Sequence, residues 1–163
     1  MIKPFNCDAP YPSASDLKTD LLSAKTIYPL YSGLHGELNS VAFYSKRFFH
    51  LKRNGNADIC DLFLGIIACE IKHFSYLGKA IFFLGAIPKI VSEENYRAEK
   101  DFGRVISTRQ ILLDAVSQKS TNITEYERVK SKLKSESVIK IIERIIIDER
   151  LHLALIKDKL TKS

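Results

Sequence analysis

Glycine and proline are scarce in this chain, seven and five in 163 residues, and turn-forming clusters do not recur along it. That scarcity leaves little support for an all-β fold, which needs turn signals every ten residues or so. The three cysteines, Cys7, Cys60 and Cys69, form no C-x-x-C pair. An odd and scattered set excludes a disulfide framework and a thiolate zinc or rubredoxin-type iron site. Cys60 and Cys69 read as small apolar residues in a reducing, cytoplasmic setting. No long uninterrupted apolar run exists either. The most apolar stretch, residues 59–84, is broken by Asp61, Glu70, Lys72, His73 and Lys79, so no membrane span is expected. Residues 1–15 lack the apolar core of a signal peptide. The net charge of +6 comes from Lys and Arg spread along the sequence without an aromatic-and-basic module. They read as solvated helix faces, and no nucleic-acid partner is expected.

What is present is helical periodicity. Residues 1–28, with Pro4, Pro10 and Pro12, read as an extended or irregular lead-in, and residues 29–163 as one bundle. Helices are expected over roughly 30–52, 57–84, 107–134 and 137–160, with Asn54-Gly55-Asn56 breaking the first pair. Long segments with short breaks inside each pair predict an all-α fold: two αα-hairpins docked as an antiparallel four-helix bundle. The inward stripes read Leu30, Leu34, Glu37, Val41, Tyr44, Phe48 and Leu51 on the first helix, and Ile59, Phe63, Ile66, Glu70, His73, Leu77 and Leu84 on the second. The third gives Leu112, Val116, Lys119, Ile123, Tyr126, Val129 and Leu133, and the fourth Ile142, Ile145, Glu149, His152, Ile156 and Leu160. Every stripe carries ionisable residues near its middle. Buried charges are costly unless paired or metal-bound, so these positions are the informative ones.

Two of the four histidines sit in Glu-x-x-His: Glu70 with His73, and Glu149 with His152. The i, i+3 spacing puts carboxylate and imidazole on one helix face, and both pairs fall on core stripes, which favours a metal site. The halves also repeat. Glu37 precedes Tyr44 by seven residues and Glu70 by 33; Lys119 precedes Tyr126 by seven and Glu149 by 30. Overlaying the halves puts Lys119 where the first half has Glu37. Each tyrosine falls nearly two turns along the stripe from its Glu or Lys, placed to donate a hydrogen bond to a site carboxylate or to serve as a core aromatic.

With these motifs the chain resembles the small bacterial ferritin-like proteins related to rubrerythrin and manganese catalase, including spore-coat relatives. The resemblance runs from Pro10-Tyr11-Pro12 through nearly the whole chain and is strongest over residues 31–44, 69–74, 84–88 and 141–159. It implies a dimetal site with Glu37, Glu70, His73, Glu149 and His152 as ligands, and iron or manganese as cofactor. It implies an oxidoreductase acting on peroxide or dioxygen, fed by an unidentified electron donor, in a homodimer. It also points to Asp148, beside Glu149, as acceptor for the free ring N–H of a ligand histidine. Cys69 holds the equivalent place in the first half. The helix-three ligand is the departure, because that position is Lys119.

Charge counting gives the departure its meaning. Four glutamates balance two divalent ions; three glutamates and an ammonium sum to −2 and suit one. An ammonium has three donors and no acceptor, so Lys119 cannot bridge metals. Asp114, Glu125 and Glu127 lie off the stripe and do not replace the missing carboxylate. One ion per chain is the form this count favours, with Lys119, Tyr44 and Tyr126 as the residues beside the reacting centre. The alternative is a non-enzymatic scaffold or coat-type bundle with a metal-free, salt-bridged pseudo-site.

Overall fold

The computed structural model describes residues 5–90 and 106–162. Five helices follow in order: α1 (Leu21–Ser32), α2 (Glu37–Arg53), α3 (Ala57–Phe83), α4 (Thr108–Lys130) and α5 (Glu136–Thr161). α1 and α2 share one position of the bundle, and α2–α3 and α4–α5 are the two hairpins. The arrangement is all-α, four helices packed antiparallel as two hairpins, the ferritin-like bundle. The expected connection over 89–105 lies largely outside the described residues.

The helix boundaries differ from expectation at the N-terminal end. Helix begins at Leu21, inside the stretch read as irregular, because Asp20 caps it: its carboxylate accepts from the Ser23 N–H at 3.0 Å. The first bundle helix is then split between Ser32 and Glu37. Gly33 and Gly36 fold back on the preceding turn, and a Cβ at either would fall 2.5–2.7 Å from the Pro29 carbonyl oxygen. The break turns Leu34 outward, 57% exposed, where the periodic reading had placed it in the core. It also makes Glu37 the first residue of α2, at a helix N-terminus where a carboxylate is favoured. On α4 the expected stripe is buried at Leu112, Lys119, Tyr126 and Val129, but Ala115 and Asn122 are buried in place of Val116 and Ile123, which are only half-buried. That helix stops at Lys130 rather than 134.

Two apolar clusters fill the bundle. One is built around Ile27, Leu30, Leu77, Ile81, Ile142 and Ile145. The other surrounds Tyr44, Phe63, Ile66, Ile111, Leu112 and Ile156. Between them lies a layer of fully or nearly fully buried polar side chains: Glu37, Glu70, His73, Lys119, Glu149 and His152. Apolar burial of about 25 cal/mol per Å² in the two clusters offsets the desolvation this layer costs. No helix among the described residues is long and apolar enough to cross a membrane, and the three cysteines are free thiols.

Candidate metal centre

Glu37 enters the layer from α2, Glu70 and His73 from α3, Lys119 from α4, and Glu149 and His152 from α5. Both Glu-x-x-His pairs therefore point into one space. Ligand-type atoms of Glu37, Glu70, His73 and Glu149 all lie within 4.8 Å of one another. His152 faces the same space, with its Nδ1 3.0 Å from Glu70 Oε1 and 3.5 Å from Glu149 Oε1. His73 Nδ1 is 3.5 Å from Glu149 Oε1 and 3.7 Å from Glu37 Oε1. None of these contacts has hydrogen-bond alignment. Both Nδ1 atoms, Glu37 Oε2, Glu70 Oε2 and Glu149 Oε1 are buried without a hydrogen-bond partner among the described residues.

The outward ring nitrogens are held differently. His152 Nε2 donates to the Phe5 carbonyl oxygen at 2.6 Å, and a carbonyl can only accept. His73 Nε2 lies 3.2 Å from Asp148 Oδ2, 3.0 Å from the Tyr11 hydroxyl and 3.5 Å from Cys69 Sγ. With a proton on each Nε2, a neutral ring presents the Nδ1 lone pair to the centre. Asp148 thus serves the histidine of the other hairpin. It also accepts from the Tyr11 hydroxyl and from the Cys7 N–H at 2.6 Å, and forms an ion pair with Arg144 Nη1 at 2.8 Å. Burial would raise its pKa, but the hydrogen bonds from His73, Tyr11, Cys7 and Arg144 outweigh that and hold the carboxyl well below the usual range.

Lys119 fills the other side of the layer. Its Nζ donates to Glu70 Oε1 at 2.9 Å and Glu149 Oε2 at 2.7 Å, and lies 5.2 Å from the Tyr44 ring centroid. Burial works against its charge, yet Glu149 and Glu70 beside it hold its pKa well above that of an ordinary lysine. In return it keeps Glu149, despite burial, well below the usual carboxylate range and Glu70 below it. Glu37 gains less of that relief: burial, Glu70 and Glu149 push its carboxyl well up and outweigh the opposing pull of His73 and Lys119. Burial also opposes charge on His73 and His152. The groups beside them (Asp148, Cys69 and Glu149 for the first, Cys69, Glu149 and Glu70 for the second) nonetheless favour the charged ring and raise both well above an ordinary histidine, so a bound ion would take the place of a proton at Nδ1.

The tyrosines divide. The Tyr126 hydroxyl donates to Glu37 Oε1 across the bundle. The Tyr44 hydroxyl, its counterpart by internal repeat, is buried with no partner among the described residues. Its counterpart acceptor would be a carboxylate at position 119, and an ammonium cannot accept. Asp114, Glu125 and Glu127 pair elsewhere, with Arg47, Arg128 and Arg150. His35 and His50 are half-buried and away from the layer.

Sequence reasoning missed Phe5, Tyr11 and Arg144. Arg144 donates to the carbonyls of Ala9 and Cys7, both at 2.8 Å, and pins residues 5–12 across α3 and α5. Only the prolines on both sides of Tyr11 hinted that this stretch is held extended. Beside it a groove of about 1010 Å³ lies between α3 and α5, lined by Phe5, Gly65, Ala68, Cys69 and Leu155 among others. Two of those residues, Phe5 and Cys69, also touch the histidines.

No protein-family model and no curated protein sequence matches the chain. Among solved structures it is similar to wild-type KatB, a manganese catalase from Anabaena, and to KatB from Anabaena PCC7120. Each superposes with a TM-score of 0.79 at 16% sequence identity, over 96% of this chain and 79% of that one. At that identity the likeness is one of fold.

Proposed function

We propose that the chain is a ferritin-like non-haem metalloprotein that holds one divalent ion, iron or manganese, and acts as an oxidoreductase on peroxide or dioxygen. The observation that carries this reading is a buried cluster in which Glu37, Glu70, His73 and Glu149 each bring one ligand-type atom within 4.8 Å of the others, while His73 Nδ1, His152 Nδ1, Glu37 Oε2, Glu70 Oε2 and Glu149 Oε1 have no hydrogen-bond partner among the described residues. A buried polar atom left unsatisfied costs about 1–3 kcal/mol, so five in one layer call for a shared ligand. Carboxylate oxygen with imidazole nitrogen is a donor set suited to these metals. Glu37, His73 and Glu149, with Glu70, would hold the ion. Lys119 supplies in the chain itself the positive charge that a second ion would bring. Three glutamates and this ammonium leave −2 for one divalent ion to balance.

When bound, such an ion supplies one-electron steps toward an oxygen–oxygen bond. The chain's own groups have separate tasks. Tyr126 orients Glu37 through its hydroxyl. Asp148 and the Phe5 carbonyl keep the ring protons on the outward side. The apolar clusters above and below keep water from the layer. The groove beside Cys69 gives a small oxidant its approach. The resemblance to manganese catalases supports the same chemistry.

A second reading has its own observation. The Lys119 ion pairs with Glu70 and Glu149 already neutralise much of the layer, which suits a metal-free scaffold bundle. Elemental analysis of protein produced with iron and manganese present separates the two. One ion per chain, with peroxide consumption dependent on it, is expected. Near-zero metal would leave the scaffold reading, and two ions per chain would defeat the one-ion argument.

A further inference from the structure

The internal repeat pairs Asp148 with Cys69, each one residue before a site glutamate. Asp148 accepts a hydrogen bond from His73 Nε2. By symmetry Cys69 should serve His152, but a thiol is a weak acceptor beside a carboxylate. The Phe5 carbonyl takes that role instead, 2.6 Å from His152 Nε2. The Phe5 ring is seated on α3 at Gly65, where a Cβ would lie 2.2–2.3 Å from the ring atoms. Gly65 is therefore the seat that lets this carbonyl reach the histidine. Six residues further on, the Tyr11 hydroxyl lies 3.0 Å from His73 Nε2 and donates to Asp148. The Tyr11 ring is gripped by Arg144 and Lys72, 4.1 and 4.3 Å from its centroid, and by Tyr76 edge-on. The Tyr76 hydroxyl donates to the Pro12 carbonyl, and the Cys7 N–H and the Cys7 and Ala9 carbonyls are bound by Asp148 and Arg144.

We propose that the strap of residues 5–12 is a built part of the centre, in which the Phe5 carbonyl and Tyr11 hold the Nε2 protons of both histidines and so aim both Nδ1 atoms inward. The strap substitutes for the carboxylate that position 69 lacks. Tyr11 and Phe5 are positioning residues, acting through the histidines. The effect on metal affinity rests on the one-ion reading above; the effect on the ring protons does not.

Two full-length variants test this, each compared with the unaltered chain. Gly65→Leu fills the Phe5 seat while placing a good helix former in α3, and Tyr11→Phe removes one hydroxyl and keeps the ring. In the metal-free protein with 15N-labelled histidine, the ring N–H signals of His73 and His152 are expected to be protected from solvent exchange. Gly65→Leu is expected to abolish protection at His152 alone, and Tyr11→Phe to weaken it at His73 alone. Such residue-specific changes, with helix content and melting temperature little altered, are not what general loosening would produce. Manganese(II) affinity is expected to fall about 10–100-fold in Gly65→Leu and about tenfold in Tyr11→Phe. Unchanged protection in both variants would overturn the strap's role, and unchanged affinity in a chain that binds the ion would overturn its link to the centre. If the unaltered chain bound no manganese or iron, the metal reading would fall, and the ring-proton measurement would still decide the strap.

Discussion

The two hairpins of this bundle carry the same pattern and differ at two positions, and those two positions explain the site. In the α4–α5 half, Tyr126 reaches across to a carboxylate, Glu37. In the α2–α3 half, the Tyr44 hydroxyl has no partner among the described residues, and its ring centroid lies 5.2 Å from the Lys119 ammonium. In the overlay of the halves the acceptor's place falls to Lys119, and an ammonium cannot accept. At the second position Asp148 serves one histidine, while its counterpart Cys69 leaves the other to a main-chain carbonyl. The centre is therefore unequal by construction. The Glu37 side keeps free donor atoms, and the Lys119 side carries its own cation.

The hardest way to break this asymmetry is to remove the cation. Lys119→Met leaves Glu70 and Glu149 buried without their partner, and the metal-free chain is expected to lose about 3–5 kcal/mol in denaturant unfolding. Added manganese(II) should restore part of the loss. A change near zero would mean that the ammonium does not compensate these carboxylates.

Asp148 tests the other inequality. Its folded pKa is depressed, so the stability it contributes is present above the unfolded value near 4 and is lost as pH falls below it. Asp148→Asn is expected to cost about 2–3 kcal/mol at pH 7. The gap to the unaltered chain should narrow below about pH 4. A gap constant down to pH 2 would show that its charge is not what matters.

The tyrosines give the smallest and most discriminating contrast. Tyr126→Phe removes the donor to Glu37 and is expected to cost about 1–2 kcal/mol. Tyr44→Phe removes a hydroxyl without a partner and should change stability by less than about 0.5 kcal/mol, or increase it slightly. Equal losses would contradict the difference between the halves.

How much of this was legible in the sequence follows from the kind of signal each part leaves. Helices α3 and α5 and their buried faces follow from period, because long amphipathic segments repeat it many times. Glu70, His73, Glu149 and His152 stand out through i, i+3 spacing, and Lys119 through the overlay of the halves. The α1–α2 break was hidden because its cause is local packing of Gly33 and Gly36 against Pro29. The strap was hidden for a different reason. A carbonyl at Phe5 meeting His152, 147 residues away, leaves no mark on residue identity.

The central claim is that Lys119 stands where a fourth carboxylate and the need for a second ion would otherwise be. Lys119→Glu tests it most directly, with manganese per chain measured by elemental analysis beside the unaltered protein. A glutamate there would give Tyr44 an acceptor and return the layer to four carboxylates. The account predicts a rise from one ion per chain to two. An unchanged stoichiometry would contradict it.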